Sequence, residues 1–178
     1  LYSAWNAKQG GAMVMYRWMP YFGANTSGAA GTGAEGKYNL RSSFRPWTEF
    51  IYNVPTENGS IDWNQIAGLS KEVAGLQDFI YDQYYELTEW SIGVTDWLSY
   101  EFFNSEQNKG YAIVYARERT DVGTKTIRFK GLLPDKNYTV TSTDTNLKVT
   151  ATGRELMLGG VELTLSARSS DILYINAA

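Results

Sequence analysis

The chain changes its hydrophobic period once. Ile66, Leu69, Val73, Leu76 and Ile80 recur at three- and four-residue intervals, the spacing of one buried helix face. Asp62 is placed to cap that helix, Gln65 stands three residues on in a capping-box relation, and Ile61 and Ile66 flank the cap as a hydrophobic staple. The pattern predicts a helix from Asp62 to about Tyr84, with Gly68 and Gly75 either weakening it or letting it pack closely. After about Trp97 the period becomes two. Leu98, Tyr100 and Phe102 alternate with Ser99 and Glu101, and a polar stretch, 104–109, leads to a second strand at 111–116. Further strands are predicted at 125–130, 137–142, 147–150, 161–165 and 172–175, with turns at 134–137 and 144–146. Short, regularly spaced strands of this kind predict an antiparallel sandwich.

The first sixty residues are less regular. Residues 12–16 (Ala-Met-Val-Met-Tyr) form an unbroken apolar run ended by Pro20, which reads as a strand covered on both faces, as in a parallel sheet. Residues 23–36 are rich in glycine and other small residues and read as a loop. Residues 37–54 mix aromatic and polar side chains, with Pro46 breaking any long helix, and read as irregular with a short helix.

Composition narrows the chemistry. At 178 residues the chain is too short for a complete eight-stranded α/β barrel, which takes about 250. Sixteen basic against nineteen acidic residues give a net charge of −3, so no basic footprint argues for nucleic acid. The apolar share of 43% suits a folded globular protein, and no apolar run is long enough to span a bilayer. There is neither cysteine nor histidine. Disulfides, thiolate and imidazole metal sites, Cys nucleophiles, His bases and Ser-His-Asp triads are therefore excluded within this chain. The sequence opens at Leu1 with neither an initiator Met nor a signal-peptide pattern, and is expected to be a processed or excised piece whose compartment is not legible.

Few motifs carry chemistry. Gly31-Thr-Gly33-Ala-Glu-Gly36 matches a dinucleotide fingerprint literally, but it does not directly follow an apolar strand, and Tyr38 stands where a phosphate loop needs Ser or Thr. No Asp precedes Asp62, and Glu35, Glu49 and Glu57 lie in loop or irregular sequence, so no positioned carboxylate dyad is expected there. Trp18 and Tyr21, read as closing a parallel strand, would face the mouth where such folds bind ligands, and aromatics there could stack on a sugar face. Asn25 or Arg17 would bond to hydroxyls. Arg41 is a weaker candidate, because an Arg after a loop often pairs structurally.

Three blocks in order, Trp18-Met-Pro-Tyr-Phe-Gly23, Tyr38-Asn-Leu-Arg-Ser-Ser-Phe-Arg-Pro46 and Ile51-Tyr-Asn-Val54, resemble the last part of the catalytic barrel of family 36 glycoside hydrolases, the bacterial α-galactosidases or melibiases. The likeness continues through Tyr84-Tyr85-Glu86-Leu87, Trp97-Leu-Ser-Tyr-Glu-Phe102, Lys130-Gly-Leu-Leu-Pro-Asp135, Gly153-Arg-Glu-Leu-Met157 and Val161-Glu-Leu-Thr-Leu165. It therefore covers nearly the whole chain. The Arg17-Trp18 pair and the long Gly-rich insertion depart from the family pattern and leave sugar preference open.

The resemblance implies an α+β chain: residues 1–92 as the end of a (β/α)8 barrel, with its last strand, loop and closing helix, and 93–178 as an antiparallel β-sandwich domain. That family uses an Asp nucleophile and an Asp acid/base on earlier strands, and neither block is present, so the implied role is structural support and part of a sugar-subsite wall, without catalytic residues of its own; the implied chemistry needs no metal or organic cofactor. Trp18, Tyr21, Asn25 and Arg41 are the implied substrate-binding set. The implied partner is an α-galactoside or related glycan, with no nucleic acid or membrane and with a homo-oligomer left open. A free-standing carbohydrate-binding or structural module is the alternative.

Overall fold

A computed structural model describes residues 4–19, 21–26, 33–50, 62–120, 123–142 and 144–178. It opens with a helix, α1 (Ala4–Trp18), followed by a three-residue strand β1 (Gly23–Asn25), α2 (Gly33–Arg41) and a second short strand β2 (Trp47–Glu49). β1 and β2 pair in parallel across the helix that joins them, with Gly23 opposite Trp47 and Asn25 opposite Glu49. Then come α3 (Trp63–Gln77) and β3 (Gln83–Glu86).

The apolar run at 12–16 is thus helical, not a strand. Its period was hidden because the buried stripe begins with polar residues: Asn6 and Gln9 are buried beside Ala12 and Met13. They are tolerated because each is bonded. Gln9 donates to Ser42 Oγ at 2.8 Å and accepts from Arg117 Nε at 3.0 Å, while Asn6 donates to the Gly93 carbonyl at 3.3 Å. The Gly-rich stretch is likewise not all loop, since β1 occupies its start and α2 opens at Gly33.

α3 begins where the pattern places it. The Asp62 carboxylate accepts from the Gln65 N–H at 2.9 Å. The Gln65 side chain does not close the capping box; it donates to the Gly33 carbonyl and accepts from the Gly33 N–H, at 3.0 and 2.9 Å, and so ties α3 to the start of α2. Ile61 lies outside the described residues. Leu69, Val73 and Leu76 are buried as predicted, but the helix stops at Gln77; three tight turns carry Ile80 into the core and leave Tyr84 in β3.

The remaining strands are β4 (Trp97–Asn104), β5 (Lys109–Ala116), β6 (Thr124–Ile127), β7 (Asn137–Ser142), β8 (Lys148–Thr152), β9 (Val161–Thr164) and β10 (Ser169–Ala177), with a short helix α4 (Gly153–Leu158) before β9. Six strands form one antiparallel sheet in the order β3-β4-β5-β10-β7-β8, and β6 pairs with β9 separately. One face of the large sheet packs Tyr100, Phe102, Ile113 and Tyr115 against Met13, Tyr38, Leu69 and Val73 of the helices. The other packs Phe103, Val114, Val140 and Leu173 against Phe129, Leu156, Val161 and Leu163. Because both faces are covered, β4 is buried from Trp97 to Phe103, including Ser99 and Glu101, which the alternation alone would place in water.

Candidate functional site

A parallel strand pair has two chemically distinct ends. Chain direction sends helix-to-strand connections to the amino ends and strand-to-helix loops to the carboxyl ends, and α/β folds bind ligands at the latter. Asn25 and Glu49 are the last residues of β1 and β2 and lie opposite one another in register. Gly23, Asn25, Trp47 and Glu49 are exposed, whereas Ala24 and Thr48 between them are half-buried. A carboxylate and a carboxamide therefore stand side by side at the carboxyl ends. The backbone holds them there: the Thr26 N–H donates to the Glu49 carbonyl at 2.9 Å, and the Lys8 ammonium donates to the Asn25 carbonyl at 2.9 Å. Glu49 escaped sequence reasoning because it sits in a run without periodicity, and only the register reveals its neighbour.

Trp18 and Tyr21 are a different matter. Trp18 ends α1 and Tyr21 precedes β1, so both lie at the amino ends, and the reading that they close a strand and face the mouth fails because that strand is a helix. Tyr21 is exposed and pairs with Tyr81, ring centroids 5.7 Å apart. With Trp47, which is 73% exposed, they wall a cleft of about 540 Å³ that runs along the open face of β1 and β2 toward Asn25 and Glu49. A Cβ at Gly23 would lie 3.2 Å from the Trp47 carbonyl oxygen, so glycine suits the close approach of the two strands there.

Arg41 does not face this cleft. It is 1% exposed; Nε and Nη2 donate to Glu72 at 2.8 and 2.7 Å, and Nη1 donates to Asp144 at 2.6 Å and to the Ser170 carbonyl at 2.9 Å. Its donors join α2, α3 and the β7–β8 turn, which is a structural role. Burial raises the Asp144 carboxyl, but the Arg41 and Lys37 charges outweigh it and hold the group below the usual carboxylate range. Among the described residues no group of three or more Asp or Glu is placed to hold a metal ion, and no helix is long and apolar enough to cross a membrane.

A helix–strand–helix–strand–helix succession with parallel strands, followed by a covered antiparallel sheet, defines the fold class as α+β. The chain matches the galactosidase domain of an α-galactosidase-sucrose kinase, AgaSK, at a TM-score of 0.60 and 18% identity, over 79% of this chain and 19% of that one. It matches the family 36 α-galactosidase AgaB of Geobacillus stearothermophilus at 0.60 and 15%, over 83% of this chain and 20% of that one. The fold is thus shared with part of the family 36 α-galactosidases, as the sequence resemblance implies, and the chain spans about a fifth of their length. No family model and no curated protein sequence matches the chain.

Proposed function

We propose that this chain is the C-terminal part of a retaining α-galactosidase-like glycoside hydrolase, with residues 1–92 ending the catalytic barrel and 93–178 forming a β-sandwich domain that supports it. The observation that carries the reading is the β1–α2–β2 unit: two strands parallel to each other, joined through a helix, and paired to no third strand among the described residues. Unpaired strand edges call for neighbours, and the aromatic cleft over their open face would then be the packing surface for the rest of the barrel. The chain contributes no nucleophile or proton donor in this reading. Its contribution to the sugar site is Asn25 with Glu49, at the carboxyl ends, rather than Trp18, Tyr21 or Arg41. An amide and a carboxylate offer two N–H donors and several acceptors, which suits sugar hydroxyls.

The test is hydrolysis of a nitrophenyl α-galactoside by the 178-residue chain and by the same chain joined to the polypeptide encoded upstream of Leu1. Activity is expected only in the longer protein, with paired Asp residues on its added strands. Turnover by the 178-residue chain alone would sink the reading.

A further inference from the structure

Lys8 reaches from the first helix to the last residue of β1. It is half-buried on α1, and its ammonium donates to the Asn25 carbonyl at 2.9 Å and to Ser43 Oγ, in the turn after α2, at 3.2 Å. The Trp5 ring covers it, with the ammonium 4.9 Å from the ring centroid. Among the described residues Lys8 makes no ion pair. Burial first, and the Arg45 charge second, pull its pKa below the ordinary lysine value. A cation partly stripped of water and without a carboxylate finds its compensation in the oxygens it reaches.

The Asn25–Thr26 peptide is held from both sides. A trans peptide points its carbonyl and its N–H in opposite directions. The N–H, on Thr26, donates to the Glu49 carbonyl at 2.9 Å, toward β2. The Asn25 carbonyl therefore points to the outer edge of β1, where Lys8 meets it. Buried Arg45 closes the circuit: its Nη2 donates to the Lys8 carbonyl, and its backbone N–H donates at 2.9 Å to Thr48 Oγ1, one residue before Glu49. One ring of contacts thus runs from α1 to β1, across to β2, and back to α1.

We propose that Lys8 is a positioning residue, which fixes the last peptide plane of β1 and with it the direction of the Asn25 carboxamide beside Glu49. The inference rests on the reading of that pair as the chain's sugar contact. Lys8 acts through Asn25 rather than on the sugar. A peptide free to turn carries its side chain with it, and a misplacement of about 1 Å in a substrate contact can cost about a hundredfold in rate.

In the 178-residue chain, amide hydrogen exchange at Thr26 reads this clamp, because Thr26 is buried and its N–H is bonded to β2. Lys8→Met keeps the apolar stem and deletes the donor. It should speed Thr26 exchange about tenfold, the loss of about one hydrogen bond, while the amides of β5 and β10 keep the parent rate. Lys8→Arg, which keeps a cationic donor, should restore most of the protection. Thr26 exchange at the parent rate in Lys8→Met, or an equal acceleration across β5 and β10, overturns the proposal whatever the fate of the barrel reading. In the longer hydrolase, Lys8→Met should lower kcat/KM about tenfold and cost nothing further on top of Asn25→Ala. A purely structural Lys8 would lower the melting temperature and leave kcat/KM in place, or cost the same factor with and without the Asn25 side chain; either result overturns the proposal. An inactive longer protein overturns it together with the functional reading.

Discussion

Arg41 grips Glu72 with two parallel hydrogen bonds, Nε at 2.8 Å and Nη2 at 2.7 Å, so that α2 and α3 are forked together beneath the sheet. The third arm of the guanidinium reaches Asp144 in the turn after β7. Three segments distant in sequence thus depend on one planar cation, and lysine cannot reproduce its geometry.

Removing that cation takes the ion-pair partner from Glu72 and leaves Asp144 with Lys37 alone. Arg41→Ala is expected to destabilise the chain by about 3 kcal/mol, the usual cost of breaking a buried pair, and Arg41→Lys by a smaller but measurable amount. Urea unfolding of the three proteins, with m compared, checks this; an Arg41→Ala midpoint equal to the parent's would contradict it.

Glu101 gives a pH signature of the opposite sign to an ordinary salt bridge. Burial pushes its carboxyl from 4.5 up to about 8, against the Lys130 N–H bond and charge, which pull it down. The folded state therefore keeps a proton that the unfolded chain releases. The contribution of Glu101 is complete below about pH 4 and is lost as pH rises toward 8, at up to about 1.4 kcal/mol per pH unit. Glu101→Gln should remove this slope and be the more stable protein at pH 8. Parallel pH–stability curves for parent and variant would refute it.

Two glycines should respond oppositely to alanine. Gly68 is exposed inside α3 and a Cβ there meets nothing within 4 Å, so close packing is not its reason. Gly68→Ala is expected to stabilise by about 0.5–1 kcal/mol through helix propensity. Gly110 in β5 faces the backbone of β4, where a Cβ would fall 2.2 Å from the Phe102 carbonyl oxygen. Gly110→Ala should cost about 1–3 kcal/mol as overpacking. Thermal melts of both variants decide the signs.

In the longer hydrolase that we propose, Asn25→Ala and Glu49→Gln should each lower kcat/KM about ten- to a hundredfold through lost hydroxyl contacts. Trp18→Ala, at the amino ends of the strands, should leave kcat/KM unchanged. A pattern in which Trp18→Ala matters and Glu49→Gln does not would return the sugar site to the other end of the strands.

Local signals were legible wherever the residues that define an element are near one another in sequence. The Asp62 cap, the buried face of α3 and β7 at Asn137–Ser142 follow from spacing and turn chemistry alone, and the structure places them there. The resemblance blocks likewise pointed to a fold that the α-galactosidase structures share. What spacing could not supply is the environment a residue meets from elsewhere in the chain. The stripe of α1 looked like a short strand because Asn6 and Gln9 are buried by partners at Gly93, Ser42 and Arg117. Glu101 reads as solvated until β6, β9 and α4 close over its face of the sheet. Arg41 became structural, and Asn25 gained Glu49 beside it, only through helix docking and strand register. Both are long-range relationships, and no window of sequence contains them.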